Sequence, residues 1–181
     1  YRLKRLKSFL DPWADPFNEG FQLTQALIAV GRGEWFGVGL GASVQKLFYL
    51  PEAHTDFILA VIAEELGFFG VLLVIALFAW LVGCGLRIGL RALERGQRFC
   101  GYCAFGVSLM LAIQALVSIG VNLGVLPTKG LTLPLISSGG SSVLMTCAAI
   151  GLLARVSYEL TRAEDAAAQA VSSPESPGEA E

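Results

Sequence analysis

Three stretches of this chain run without a charged residue, and their spacing lays out an architecture. The first, Leu66–Leu86, reaches about 30 Å as a helix, the thickness of a bilayer's hydrocarbon core. The second runs from Phe99 to Leu126 and the third from Leu131 to Ala154, the third interrupted near its start by Pro134 and by "SSGGSS" at Ser137–Ser142. The pattern predicts membrane-spanning helices over 57–86, 99–126 and 139–156, the last becoming helical only after its glycines. Loops are predicted at 87–98 and 127–138, giving an all-α polytopic membrane protein.

Orientation follows from the charges between the runs. Arg87, Arg91, Arg95 and Arg98 stand against the single Glu94 in the loop 87–98, which the positive-inside rule assigns to the cytoplasm. The segment before residue 57 and the loop 127–138 then lie outside, and Arg155 and Arg162 return the C-terminal end to the cytoplasm. Residues 157–181, rich in alanine, serine and proline, have too little hydrophobicity for a packed structure and are expected to form a disordered cytoplasmic tail. Residues 1–56 read as an extracytoplasmic loop with short interfacial helices. In it Phe21–Val30 is apolar but too short to span. The glycines at 31, 33, 37, 39 and 41 predict an irregular, turn-rich stretch. The basic run Arg2, Lys4, Arg5 and Lys7 conflicts with an outside location, and the start at Tyr1 suggests a piece of a longer chain whose earlier loops also act on orientation.

Composition agrees with a membrane protein: 54% of the 181 residues are hydrophobic and 15% charged, where a soluble domain has about a quarter charged. The net charge of −2 averages a basic beginning and an acidic end, so its sign identifies no partner, and no stretch reads as a nucleic-acid surface. Cys84, Cys100, Cys103 and Cys147 fall in or beside apolar runs and read as small buried hydrophobes. Cys100 and Cys103 have the spacing of a half zinc site, with no second ligand pair to complete it.

Candidate chemistry concentrates at two places. On a helix beginning near Thr55, the positions Asp56, Ala60, Ala63, Glu64 and Gly67 share one face. Small residues beside carboxylates leave room for water or a polar ligand, and carboxylates at membrane depth are costly unless they face protein or an aqueous cavity. Asp56 reads equally as a helix N-cap. Glu64 and Glu65 read equally as interfacial acids satisfied by water or a neighbouring helix, and His54 as a surface histidine. The second place is Gly124–Ser142, "GVLPTKGLTLPLISSGGSS", whose prolines and glycines forbid a continuous helix; such backbone is tolerated there only when buried or lining a wet cavity. Lys129 is the only charge between Arg98 and Arg155. It could meet a phosphate, with hydroxyls of Thr128, Thr132, Ser137, Ser138, Ser141 and Ser142 as added donors, or it could be a solvated lysine on a structural turn. An acid on one wall and a cation on another suit an anionic lipid with a polar head. They do not specify a reaction.

The blocks "YLPEAHTDFILAVIAEELGFFG" and "GVLPTKGLTLPLISSGGSS" resemble the SEDS family, the FtsW/RodA/SpoVE proteins of bacteria. "DPWADPF", "GRGEWFGVGLG" and "SVQKLFYLPEAHTD" are similar to its division branch, and the resemblance extends from about Tyr1 to Tyr158. It implies a ten-helix fold of which this chain is the large extracytoplasmic loop and the last three helices. It also implies an inverting glycosyltransferase that polymerises lipid II in the septal inner membrane, with a class B penicillin-binding transpeptidase, other division membrane proteins and membrane lipid as partners. The family's essential aspartate corresponds to Asp56, a general base whose proton affinity a low-dielectric cavity and the adjacent Glu64 would raise. Lys129 corresponds to a lysine implicated in function, here stabilising the departing pyrophosphate; Glu64, Thr128, Ser141 and Ser142 would line the same substrate site. Ser138 stands where relatives commonly carry tyrosine. A divalent cation, magnesium or manganese, could share the pyrophosphate's charge. Two other readings are a lipid II flippase and a non-enzymatic scaffold that recruits the transpeptidase.

Overall fold

The computed structural model describes residues 21–41, 56–127 and 132–172. Four helices organise them: α1 (Phe21–Gly33), α2 (Ile58–Glu94), α3 (Arg98–Asn122) and α4 (Gly140–Ser172), with no strand among the described residues. By length and composition α2, α3 and the Gly140–Ala166 part of α4 are apolar enough to cross a membrane, at mean hydropathies of 2.6, 2.1 and 1.5. The predicted class, all-α and polytopic, agrees with this.

Helix boundaries differ from the expectation for local reasons. α2 does not stop at residue 86 but continues to Glu94, so the predicted loop 87–98 shrinks to Arg95–Gln97. The arginines and leucines that signalled a loop are good helix formers; charge moves a helix out of the bilayer without ending it. α3 ends at Asn122 rather than 126, because Leu123 and Gly124 close it in a Schellman cap. The Gly124 N–H donates to Val121 O at 3.1 Å and the Val125 N–H to Gly120 O at 2.8 Å. α4 runs past 156 to Ser172, correcting the disordered tail over 157–172. Alanine is the strongest helix former and fills the segment after Ala163, and Arg95 ties α4 down by donating to Leu160 O at 2.9 Å and pairing with Glu164. α1 extends three residues beyond the apolar stretch that predicted it.

α2 and α3 form a hairpin packed through small residues. Gly85 faces Ser108 so closely that a Cβ there would sit 2.1 Å from the serine Oγ, and Gly89 lies against Gly101 O and the Phe105 ring. Close approach of this kind is how helices associate in lipid, where apolar burial alone gives no preference for a neighbour. Ser108 keeps its own hydroxyl satisfied by donating to Ala104 O at 2.7 Å.

The defining irregularity is in α2. At Gly67 the backbone turns to φ 69°, ψ −161°, a region open in practice only to glycine. A straight helix would carry the bonds Phe68 N–H to Glu64 O and Phe69 N–H to Glu65 O. Both are absent, and each partner is matched instead by the loop after α1. Phe68 N–H donates to Glu34 O (3.0 Å) and Phe69 N–H to Trp35 O (3.4 Å), while Glu64 O accepts from Val38 N–H (2.9 Å) and Glu65 O from Gly39 N–H (3.1 Å). The loop predicted to be irregular is thus a strap laid across the break, taking up four of the backbone groups that the kink frees.

The strap fits only because Gly37 has no side chain: a Cβ there, at φ +77°, would lie 2.2 Å from Glu65 O, whereas one on Gly39 meets open space. Gly37→Ala is therefore expected to lower unfolding free energy in detergent by about 2–4 kcal/mol, and Gly39→Ala by only about 1–2 kcal/mol of backbone strain. Equal losses for the two variants would sink the strap as the source of the difference.

Candidate functional site

The mouth of α2 is built from three elements. α1 lays Ala26 and Ala29 against Phe57, Ala60 and Val61, with Val121 of α3 closing the cluster. Below it Leu59 and Ala63 join Val71, Val74, Phe78, Ala115 and Leu133. Leu133 comes from the non-helical segment between α3 and α4, so that stretch is buried in protein as its depth requires. The small, acidic face foreseen for this helix is buried: Ala60, Ala63, Glu64 and Gly67 all lie inside. At its end, however, Gly67 accommodates the strap backbone rather than a ligand.

Asp56 is half-buried and sits one residue before the helix cap. The N-cap position expected for it belongs to Phe57, whose side chain makes no capping bond. The cap comes instead from another helix. Asn122, with no exposed surface, accepts the Ala60 N–H on Oδ1 at 3.1 Å, and its Nδ2 donates to Asp56 O at 3.0 Å and to Ser118 O at 2.9 Å. One buried amide thereby fixes the backbone of Asp56 to the end of α3, using its acceptor and both donors. The pattern of apolar runs does not by itself single out this residue. An amide inside the uncharged run Phe99–Leu126 was a visible signal, since a buried polar side chain must find partners.

Two turns along, Glu64 is completely buried, and Arg32 at the end of α1 brings its Nη1 to 3.6 Å from the carboxylate, its own side chain half exposed. Glu65 is partly buried; its Oε1 is closed off from solvent without a hydrogen bond, and its carbonyl belongs to the strap. Arg32 was also passed over, although a cation among glycines beside an apolar block pointed to a buried acid. Around the strap Trp35, Phe36, Phe68 and Phe69 form an exposed aromatic group, Trp35 and Phe68 meeting edge to face at 5.5 Å between centroids.

The second candidate place is described in part. Thr128 and Lys129, like His54, lie outside the described residues. Beyond them Gln114 Nε2 donates to Thr132 O (3.2 Å), Thr132 Oγ1 to Ser142 Oγ (2.9 Å) and Thr146 Oγ1 to Ser142 O (2.8 Å). Thr132 therefore ties the turn to both helices, through Gln114 and Ser142. Ser142 lines an α3–α4 groove of about 490 Å³ that is otherwise mostly apolar, with Met110, Met145 and Leu152 among its walls. Ser141 and Ser138 are exposed. No group of three or more His, Cys, Asp or Glu side chains among the described residues is arranged to hold a metal.

Helices of this length and hydropathy, hinged and stapled through buried polar groups, define a multi-pass membrane protein. The FtsW/RodA/SpoVE family of cell cycle proteins matches residues 1–162, and the chain belongs to that family. A relative from Xanthomonas oryzae pv. oryzae, named as a probable peptidoglycan glycosyltransferase FtsW, is 66% identical over 91% of this chain and 34% of its own length. One of the same name from Thioalkalivibrio sulfidiphilus is 63% identical over 88% of this chain and 40% of its own. In solved structures, a chain of a peptidoglycan synthase complex, described as coordinating polymerization and crosslinking, superposes with a TM-score of 0.66. It is 32% identical, over 87% of this chain and 41% of that one. This chain thus spans well under half the length of these relatives.

Asn122→Leu removes the amide from the Asp56 carbonyl and leaves the Ala60 N–H with its bond to Phe57 O alone (3.0 Å), a loss of about 1–3 kcal/mol in unfolding free energy. Ser118→Ala is the control. The Ser118 hydroxyl is buried without a hydrogen bond, so its removal is expected to be neutral or slightly stabilising. Thermal or SDS unfolding of both variants that gave equal losses would contradict the assignment.

Proposed function

We propose that the whole protein polymerises lipid II into glycan strands as a peptidoglycan glycosyltransferase of cell division. The observation that carries this is the 63–66% identity to relatives named peptidoglycan glycosyltransferase FtsW, over a stretch that contains Asp56 and its staple. In this reading the 4-hydroxyl oxygen of one lipid II's N-acetylglucosamine attacks the anomeric carbon of the growing strand's terminal N-acetylmuramic acid. The hydroxyl proton passes to the Asp56 carboxylate. The bond from the anomeric carbon to the pyrophosphate oxygen breaks with its electron pair leaving on undecaprenyl pyrophosphate, and configuration inverts. Proton removal by a positioned carboxylate is worth about 10²–10⁴ in rate, and a carboxylate whose backbone is fixed from α3 is suited to it.

Lys129 is assigned the charge that develops on the pyrophosphate, a stabilisation realised as the bond breaks. Thr128, Ser141 and Ser142 complete the proposed substrate site, the two serines from the first turn of α4, with the completely buried Glu64 supporting it from beneath Asp56. We assign a crosslinking transpeptidase of the class B penicillin-binding type as partner. The described coordination of polymerization and crosslinking in the similar complex supports this. The division septum of the inner membrane is the proposed place of action.

The test is glycan synthesis from lipid II by the purified whole protein with its transpeptidase. Asp56→Asn is expected to lower the rate at least about 10²-fold while partner binding is kept. Undiminished strands from Asp56→Asn would remove the base from this residue. No strands from the unsubstituted protein, with lipid II translocation retained, would favour the flippase; neither activity would leave the scaffold.

A further inference from the structure

The break at Gly67 has a mechanical effect: it separates the segment that carries Asp56 from the membrane span that follows. Residues 57–66 are not in helical continuity with the span below them, since the Glu64 and Glu65 carbonyls and the Phe68 and Phe69 N–H groups bond to the strap instead. Beyond its apolar packing on α1 and α3, the segment is held by polar contacts near each end. Asn122 grips its upper end, at Asp56 O and Ala60 N. Its lower end is gripped at Glu64, and there the same short stretch acts twice: Val38 N–H holds the Glu64 carbonyl, and Arg32 holds the Glu64 carboxylate at 3.6 Å. The carboxylate has no exposed surface while Arg32 is 49% exposed, so the arginine is the bridge between a buried charge and the edge of the fold. Glu64 lies eight residues after Asp56, about 12 Å along a rigid pair of turns, so a tilt at Glu64 moves Asp56.

We propose that Arg32 is a positioning residue for the glycosyl transfer assigned above, on which this inference rests. By gripping Glu64 it fixes the angle of the Phe57–Leu66 segment, and with it the approach of the Asp56 carboxylate to the attacking hydroxyl. A group that sets reach and angle without touching substrate acts on turnover rather than on binding, and displacements of about 1 Å cost on the order of 10²-fold in rate.

The experiment is steady-state glycan polymerisation from lipid II by the whole protein with its transpeptidase, comparing unsubstituted protein, Arg32→Gln, Arg32→Lys, Glu64→Gln and the Arg32→Gln/Glu64→Gln double variant. Arg32→Gln is expected to lower kcat about tenfold or more with KM within about twofold, and Arg32→Lys to recover most of the loss. In the Glu64→Gln background, Arg32→Gln should cost less than about twofold, because the arginine acts through that carboxylate. An unchanged kcat in Arg32→Gln, a loss carried by KM, equal losses in both backgrounds, or a loss that Arg32→Lys does not relieve overturns the proposal. Should the unsubstituted protein make no glycan, the functional reading itself fails and takes this inference with it; glycan from that protein with Arg32→Gln unaffected removes the inference alone.

Discussion

The exchange of backbone hydrogen bonds at Gly67 is the constraint on which the rest of this arrangement depends. A helix entering a membrane cannot leave N–H and C=O groups open, because no water is present to receive them. Here four of the backbone groups freed by the break are taken up by four bonds from a separate segment, which makes a break at this depth less costly. The consequence is division of labour within one helix. Below Gly67, α2 is a span that packs on α3 through glycine and serine; above it, a short segment belongs with α1 and the end of α3. The glycines at 37 and 67 are needed at this crossing and could not be exchanged for alanine without collision.

Asn122 and the Arg32–Glu64 pair complete the same logic with side chains. Each places polar groups where burial would otherwise be expensive, and each joins elements distant in sequence. The amide joins the end of α3 to the start of α2, and the ion pair joins the end of α1 to α2 beside its break. An isolated buried carboxylate is strongly unfavourable, and a partner with a half-solvated guanidinium lessens that cost without removing it. Such groups contribute to a unique register more than to raw stability, and a catalytic carboxylate needs a unique register.

Much of this fold was legible in the sequence, because uncharged runs of about 20 residues have few alternatives to a membrane helix. The small acidic face from Asp56 to Gly67 was legible for the same reason: helical periodicity is local. What escaped depended on partners remote in the chain. Nothing within the neighbourhood of Asn122 tells that its amide caps a helix 62 residues away from it. The glycine-rich loop signalled irregularity but not that its carbonyls and amides would replace those of another helix. The helical continuation to Ser172 was hidden by composition, since alanine, read there as low hydrophobicity, is equally the residue most content in a helix.

The length of α2 bears on where its far end stands. Below the break at Gly67 it extends about 40 Å to Glu94, against about 30 Å of hydrocarbon, and Arg95 follows Leu86, the last residue of the uncharged run, by about 13 Å of helix rise. The latch of Arg95 on Leu160 and Glu164 therefore projects beyond the lipid tails into the ionic medium, where the Debye length is about 8 Å at physiological salt. The Asn122 staple near Asp56 is sealed from ions, while this latch is open to them. The two ends of α2, on either side of the break at Gly67, thus respond to different environments, one governed by packing and the other by the salt and charge of the surrounding solution.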